Sequence, residues 1–553
     1  MTLWRVLIAA AAAAMLLGTP LPHIDSDAAL FGKIAKTIVD TGEWLTLRHP
    51  VHPDWVVDKP PLTFWLMALS LRVGGQTDAA LRLWHILLSL ALVWAVYRLA
   101  RIDGTEEEAL LAALLLATFQ QVFYSSMAPQ HDVPVTLFLT LAFLASARYA
   151  RDGRGRWPLL AALWTALAVL TKGVLWLPVV AGIAGADWLA ARWTGQRPPW
   201  RPVHLAAAAA LFLAVASPWF VVGALRQGPP FVRVFLFDEN GIARLEHAFL
   251  GGGLVPLHSF LLMVPAYVPL LLVGMLPWTG LLPGALGKAW RGLRAGPPTV
   301  RLSALWFGLF FLAVSLSHGD RIIRYLLPCY PPLAVLAGRF LVAALDGRAR
   351  IGRASALLPP LLGVPLLGTA LWLARRMSPV EMRFYTPLIL PTLVVFAAAL
   401  LAFAVLALRG RLRQAVALTV AGSLLSYTLA YAMLMARWDR LWPWPAIAAA
   451  VNRLYRPGDR VMVVGVNPAE TNFAAYWIHA PVEQVDEQTF LSAWDRGRVF
   501  ALLPPGVRPL PRATVLLRTP LGWTLVTNRP TTSGPTSVPR AGRTRGSGPA
   551  GKD

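Results

Sequence analysis

The sequence predicts a mainly α-helical membrane bundle of the many-times-spanning kind, with amphipathic surface helices in its first outer loop and a small outer α/β domain. Three observations predict it. Asp, Glu, Lys and Arg make up 14% of the 553 residues and apolar types 56%, where a soluble domain carries a charged share of about 25%. Apolar runs of membrane-crossing length recur along the chain. Arginines collect in every second loop between those runs, as short cytoplasmic loops require. An ordinary soluble enzyme is excluded. The 51 Lys and Arg against 28 Asp and Glu leave a net charge of +23, but this excess sits between apolar runs and labels topology, so nucleic acid is not the implied partner. The single cysteine, Cys329, forms no intramolecular disulfide, and stability must come from helix packing.

About thirteen spans follow, at 4–21, 80–99, 109–126, 133–149, 158–171, 174–190, 204–223, 260–282, 302–317, 325–345, 354–374, 387–408 and 415–436. Each is long enough for a helix to satisfy its own backbone groups inside lipid. Around Thr171-Lys172-Gly173 the apolar run is almost unbroken, and two spans or one long helix both fit. The first span follows Arg5 and reads as a retained anchor or a cleaved signal peptide; the anchor is favoured, because no small-x-small site precedes Gly18-Thr19-Pro20.

Loops carrying Arg98 and Arg101, Arg148 to Arg156, Arg192 to Arg201, Lys288 to Arg301, Arg348 to Arg353 and Arg409 to Arg413 belong inside. Loops 22–60, 126–132, 224–259, 318–324 and 375–386, together with everything after Arg437, hold most of the acids and face outward. Three domains are expected: 1–437 as the membrane domain, 438–528 as the outer α/β domain, and 529–553 as a basic tail too poor in apolar residues to fold. In the outer domain, strands are expected at 460–464, 498–503 and 513–526 and a helix near 472–478.

Outward loops are usually short, so the stretch 22–60 is anomalous, and long loops tend to be functional. Phe31, Ile34, Ala35, Ile38 and Val39 recur at helical spacing within it, which predicts a surface helix. A second, too short to span, is expected at 62–73. The loop opens with Asp25-Ser26-Asp27 and closes with Asp58-Lys59-Pro60-Pro61. Asp25 and Asp27 read equally as helix-capping groups or as carboxylates kept near lipid for proton transfer or metal binding. The short second loop, Gln130-His131-Asp132-Val133-Pro134, places Asp132 at the mouth of a span, where capping is again the bland alternative. His131 reads as a capping or hydrogen-bonding neighbour of Asp132, since no second histidine lies at metal-site spacing. Lys59, fixed in direction by two prolines, is a point cation suited to a phosphate, although a lysine here also snorkels to water. Asp238-Glu239-Asn240, Arg244 and Asp320-Arg321-Ile322-Ile323-Arg324-Tyr325 complete the outward charges. Trp44, Trp55, Trp442 and Trp444 read as interfacial anchors.

These elements resemble the GT-C glycosyltransferases of the aminoarabinose-transferase and protein O-mannosyltransferase group. The resemblance spans most of residues 20–345 and rests on Asp25 with Asp27, Asp58-Lys59-Pro60-Pro61-Leu62, His131-Asp132-Val133-Pro134, Leu170-Thr171-Lys172-Gly173 and Tyr325-Leu326-Leu327-Pro328. It implies an inner-membrane enzyme of bacteria whose site faces the periplasm or exterior. That enzyme would take a sugar from a polyprenyl-phosphate carrier and pass it to a lipid, glycan or protein acceptor. Asp25 would be the catalytic carboxylate and Asp132 its supporting acid. Lys59, with Arg244, Tyr325 and Arg321, would hold the carrier phosphate. Asp27, Asp58 and Glu239 would be supporting groups, and their hard carboxylates suit Mg²⁺ or Mn²⁺, though the family needs no metal. Two departures stand out: the group typically reads Asp-Glu-x-Arg-Tyr where this chain has Asp25-Ser26-Asp27-Ala28-Ala29, and Glu where this chain has Asp58. Both bear on which sugar and acceptor are used. A transporter or flippase of lipid-linked saccharides is the competing class; such proteins place charges at the bilayer midplane, where Lys172 is the one ambiguous candidate.

Overall fold

The structure, a computed structural model, describes residues 1–19, 26–52, 54–195, 200–237, 267–316, 322–374, 379–435 and 443–529. The chain divides into two compact units, Met1–Trp438 and Asp439–Asp553.

The first unit is helical, and its early helices begin and end where local chemistry dictates. They are α1 (Thr2–Leu17), α2 (Ser26–Thr41), α3 (Leu62–Gly74), α4 (Asp78–Ala100), α5 (Glu106–Thr118), α6 (Gln120–Met127), α7 (Asp132–Asp152), α8 (Arg156–Lys172), α9 (Trp176–Trp193) and α10 (Pro202–Gln227). Thr77 caps α4 by accepting from the Ala80 N–H, with Asp78 in the first turn and Arg98 in the last, the charge order the helix dipole favours. Thr105 and Glu108 form a reciprocal capping box at α5. Gly173, at φ +109°, ends α8, because such a backbone is open to glycine and closed to most side chains. The apolar run around Lys172 is therefore two helices.

Seven described helices are long and apolar enough to cross a membrane, or nine if two bent pairs each count as one span. One bent pair is α5 with α6, which turn by 61° where a single span was expected at 109–126. The other is Tyr267–Gly274 with Thr279–Leu293, which turn by 113°. Pro277 interrupts the ladder there, so the expected span 260–282 does not run on; its residues before Tyr267 lie outside the described ones. The remaining expected spans at 4–21, 158–171, 174–190 and 354–374 correspond to the helices α1, α8, α9 and Arg353–Ala374, α1 ending at Leu17. The short surface helices expected in the first outer loop are α2 and α3, the latter of 13 residues.

At the centre lies Tyr330–Leu345, whose apolar residues are buried along nearly its whole length. It packs on α5, and a Cβ built on Gly338 would lie 2.8 Å from the Ala112 nitrogen and 3.0 Å from the Glu108 oxygen. Lipid is as apolar as leucine, so helices associate through such close contacts of small residues. On the other end of the bundle Arg339, buried, is bonded to Asp103 and donates to Thr299 Oγ1 at 2.7 Å, closing the loop after α4 onto the helix Pro298–Leu316.

The second unit holds one five-stranded sheet in the order β2-β1-β3-β5-β4, from β1 (Arg460–Val464), β2 (Val482–Val485), β3 (Val499–Leu503), β4 (Thr514–Arg518) and β5 (Thr524–Thr527). β1 lies parallel to β2 and β3, with Val461 opposite Val482 and Phe500. Parallel pairing demands crossovers, and the helices Pro468–Trp477 and Glu487–Trp494 supply them. The expected run 513–526 is a hairpin of β4 and β5, turning near Gly522 at φ +91°. The basic tail from Pro530 lies outside the described residues.

Replacing Gly338 by leucine would wedge Tyr330–Leu345 away from α5. It should cost about 1–3 kcal/mol, seen as a lowered Tm of the purified protein in detergent. Gly308→Ala, where an added Cβ meets nothing within 4 Å, should leave the Tm in place.

Candidate active site at one end of the bundle

The site is assembled at the end of the bundle opposite the loop that carries Arg151 and Arg154. α2 packs on the bundle through Ala28, Ala29, Gly32, Ile34, Ala35 and Ile38, a face in which alanine and glycine allow a close approach. Phe31 on its flank meets Phe64 of α3 edge-on at 5.7 Å and the ring of His131 at 4.5 Å. One aromatic corner thus joins α2, α3 and the turn before α7. The loop after α2 is held by Trp65 Nε1 donating to the Trp44 carbonyl at 2.6 Å and Trp219 Nε1 donating to the Leu45 carbonyl at 3.1 Å. Trp44 therefore serves as a backbone anchor point for α3.

α7 and α8 form a hairpin with a three-residue turn, so the start of one and the end of the other share a level. Asp132, in the first turn of α7, is 5% exposed, and Lys172 is the last residue of α8. Lys172 Nζ donates to Asp132 Oδ1 at 2.5 Å. Arg324, in the 3₁₀ turn Ile323–Cys329, brings its Nε to 3.7 Å from Asp132 Oδ2 and also donates to Asp27. Tyr325 lies under both cations, its ring centroid 4.9 Å from Lys172 Nζ and 5.9 Å from Arg324 Cζ. The chain Asp27–Arg324–Asp132–Lys172 runs from a partly exposed to a buried carboxylate: side-chain exposure is 39% at Asp27 and 8% at Asp132. At one end of the helix that Asp132 opens, no side-chain cap is made; its carboxylate is spent on cations, which displaces the capping reading.

Asp58 and Lys59 pair with each other. His131 is buried beside them, its Nε2 without a hydrogen-bond partner among the described residues. Burial, then the positive charges of Lys59, Lys172 and Arg324, hold its pKa well below the ordinary imidazole range. His131 is thus a neutral wall of the site, packed on Phe31 and Phe64; it stands at the N-cap position of α7, as expected, but its side chain makes no capping bond. The shared action of the three cations on one ring also brings Lys59 into the neighbourhood of the Asp132 cluster.

Of the residues singled out in the sequence, Asp27, Asp132 and Tyr325 come together, and Asp58 with Lys59 stands beside them. Asp25, Glu239, Arg244 and Arg321 lie outside the described residues. Two members of the cluster were not selected by sequence. Lys172 enters the sequence reading as part of the Leu170-Thr171-Lys172-Gly173 element and as an ambiguous intramembrane charge, without a role, yet a lone charge in an apolar run demands a partner. Arg324 shares its short motif with Arg321, and only the fold distinguishes them. Among the described residues no group of three or more His, Cys, Asp or Glu is placed to hold a metal ion.

Lys172→Met would strand Asp132 in a poorly hydrated place, with a loss of about 3–5 kcal/mol. The double variant Lys172→Met/Asp132→Asn should regain most of it. Thermal unfolding of the four cycle members, followed by tryptophan fluorescence, measures the coupling; additive losses would show that the two side chains do not depend on each other.

Comparison with known proteins places this geometry in context. Residues 58–221 match the model of the dolichyl-phosphate-mannose-protein mannosyltransferase family. The undecaprenyl phosphate-α-4-amino-4-deoxy-L-arabinose arabinosyl transferase of Aeromonas salmonicida is 29% identical over 358 residues, which cover 62% of this chain and 61% of that protein. The protein of the same name from Pseudomonas aeruginosa is 32% identical over 345 residues, 60% of this chain and 57% of its own. The chain thus spans about three fifths of the length of these curated relatives. The crystal structure of ArnT from Cupriavidus metallidurans bound to undecaprenyl phosphate superposes with a TM-score of 0.76, at 19% identity, covering 96% of this chain and 99% of that one.

Proposed function

From the premise of a multi-pass membrane protein that shares the GT-C fold of aminoarabinose transferases, we propose that this chain is a glycosyltransferase. It moves a sugar from a polyprenyl-phosphate donor to a lipid, glycan or protein hydroxyl on the outer face of a bacterial inner membrane. The observation that carries the reading is the Asp27–Arg324–Asp132–Lys172 cluster, with Tyr325 beneath it, at the acid-bearing end of the bundle. The names of the relatives favour undecaprenyl phosphate as the carrier and an aminopentose as the sugar.

In this reading the acceptor oxygen attacks the anomeric carbon, the bond from that carbon to the phosphate oxygen breaks, and Asp25 takes the acceptor proton. Such general-base help is worth about 10²–10⁴-fold in rate. Asp25 immediately precedes α2 in the sequence. The leaving phosphate passes from a singly charged diester to a doubly charged monoester. A cation beside it therefore binds the transition state better than the bound donor, which is the condition for raising kcat. Lys59, with Arg244 and Arg321, supplies that cation, and Tyr325 orients the phosphate. Asp58, paired with Lys59, gives way as the phosphate arrives. Asp132 holds Lys172 and Arg324 in place, and Arg324 in turn holds Asp27 at the start of α2. A divalent ion is not required by this scheme, since Lys and Arg meet the developing charge.

Incubation of the purified protein in nanodiscs with radiolabelled polyprenyl-phosphate sugar decides the class. Label appearing on an acceptor, with release of the free carrier phosphate, is expected; movement of intact donor between leaflets without cleavage would instead identify a transporter. Asp25→Asn should abolish transfer while leaving membrane insertion and Tm unchanged, and full turnover in that variant would remove Asp25 from the mechanism.

A further inference from the structure

Arg82 belongs to none of the motifs above, yet it is among the most deeply buried charges of the first unit, 2% exposed on α4. Its Nε donates to the Met127 carbonyl at 2.8 Å and its Nη1 to the Thr19 carbonyl at 3.3 Å. Met127 is the last residue of α6, and Thr19 follows the end of α1. Both ends expose carbonyls that have no partner inside their own helix. One turn further along α4, the buried His85 meets the Ser125 carbonyl through Nε2 at 3.0 Å, so α4 binds the terminal turn of α6 twice. The two segments that Arg82 joins also touch each other: a Cβ built on Gly18 would fall 2.1 Å from the Met127 sulfur.

What these segments carry gives the contact its meaning. The chain leaves Thr19 toward Asp25 and Asp27, and it leaves Met127 through four residues to Asp132. We propose that Arg82 is a positioning residue: its guanidinium clasps the Thr19 and Met127 carbonyls, and so fixes the register of Asp27 against Asp132. This rests on the glycosyl-transfer reading. A planar guanidinium can serve two carbonyls in different directions at once, whereas the point charge of a lysine has no such fixed fork. Since a misplacement of about 1 Å can cost about 10²-fold in turnover, loosening the clasp acts on kcat and spares donor binding at Lys59.

The test uses full-length protein in nanodiscs, with Arg82→Gln and the charge-keeping Arg82→Lys. Turnover is separated into kcat and KM for the lipid-linked donor. Independently of activity, Thr19→Cys/Ala128→Cys is introduced in each background, and its rate of cross-linking by a short thiol-reactive bifunctional reagent is followed. Arg82→Gln should lower kcat about 100-fold with KM within about threefold of the parent, and should slow cross-linking at least tenfold; Arg82→Lys should fall between it and the parent in both. Turnover of Arg82→Gln within threefold of the parent would overturn the proposal, as would a fall in kcat with unchanged cross-linking. Should Arg82→Gln fail to insert, Arg82→Lys decides by the same two measurements. If the parent itself transfers no sugar, the functional reading fails, while the cross-linking rates still establish or refute the clasp.

Discussion

A carboxylate at the edge of a bilayer has little water to fall back on, and the placing of Asp132 is the constraint from which the rest of this site follows. Two cations answer it, and each comes from a different part of the chain: Lys172 from the end of α8 and Arg324 from the turn before the central helix. Neither cation is adjacent to Asp132 in sequence, so their convergence ties three segments of the bundle into one level. Arg324 then extends the tie to Asp27 and α2. A surface helix whose packed face is largely of small residues is thereby anchored by charge as well as by packing. Removing any one of these groups leaves another exposed to the same desolvation penalty, and the cluster behaves as a unit.

The balance of charge within the cluster bears on how it would meet a substrate. Among the described residues Asp27, Asp58 and Asp132 stand against Lys59, Lys172 and Arg324, each cation paired with a carboxylate. Their exposures differ, however. Asp132 and Lys172 are the most deeply enclosed, at 8% and 18% of side-chain area, while Asp58 is 40% exposed against 20% for Lys59. The outer pair is the easier to part, because a carboxylate near water can be rehydrated as its lysine turns to a new partner. The inner pair is the framework and the outer pair the exchangeable element. Neutral His131 suits this arrangement, since a fourth positive charge would compete with Lys59 for the same anion.

Much of the fold was legible because the bilayer allows few solutions. Apolar run length and arginine placement located the helices, and the outer loop announced α2 and α3 through spacing and length. The failures have physical causes. The bend between α5 and α6 falls at Phe119, with no proline or glycine to announce it and only the polar pair Gln120-Gln121 beside it. β2 is four residues, two of them the half-buried polar Glu483 and Gln484, so no alternation marks it; it exists because β1 offers it a parallel partner. Lys172 looked like a charge in mid-membrane until the Gly173 break made it a helix terminus, where a cation is welcome. Asp132 was legible because it opens a span, but its partners were not, since nothing local separates Arg324 from Arg321.

The same reasoning separates two ways in which a charge serves a membrane enzyme. Lys172 and Arg324 meet side-chain acids, and their partners are themselves candidates for chemistry, so they stand where an evolving substrate preference can alter them. Arg82 meets the Met127 and Thr19 backbone carbonyls, a kind of group that every sequence possesses and no substitution removes. A contact of that kind cannot recognise a sugar; it can only determine where two chain segments lie. Bent and broken helices are tolerated in lipid when something re-satisfies the carbonyls they release, and at α6 that something is a buried arginine and a histidine from the neighbouring helix. The end of α6 therefore does more than close a helix. A four-residue loop leads from it to Asp132, and Arg82 and His85, which meet the last turn of α6, are the groups that fix where that loop begins.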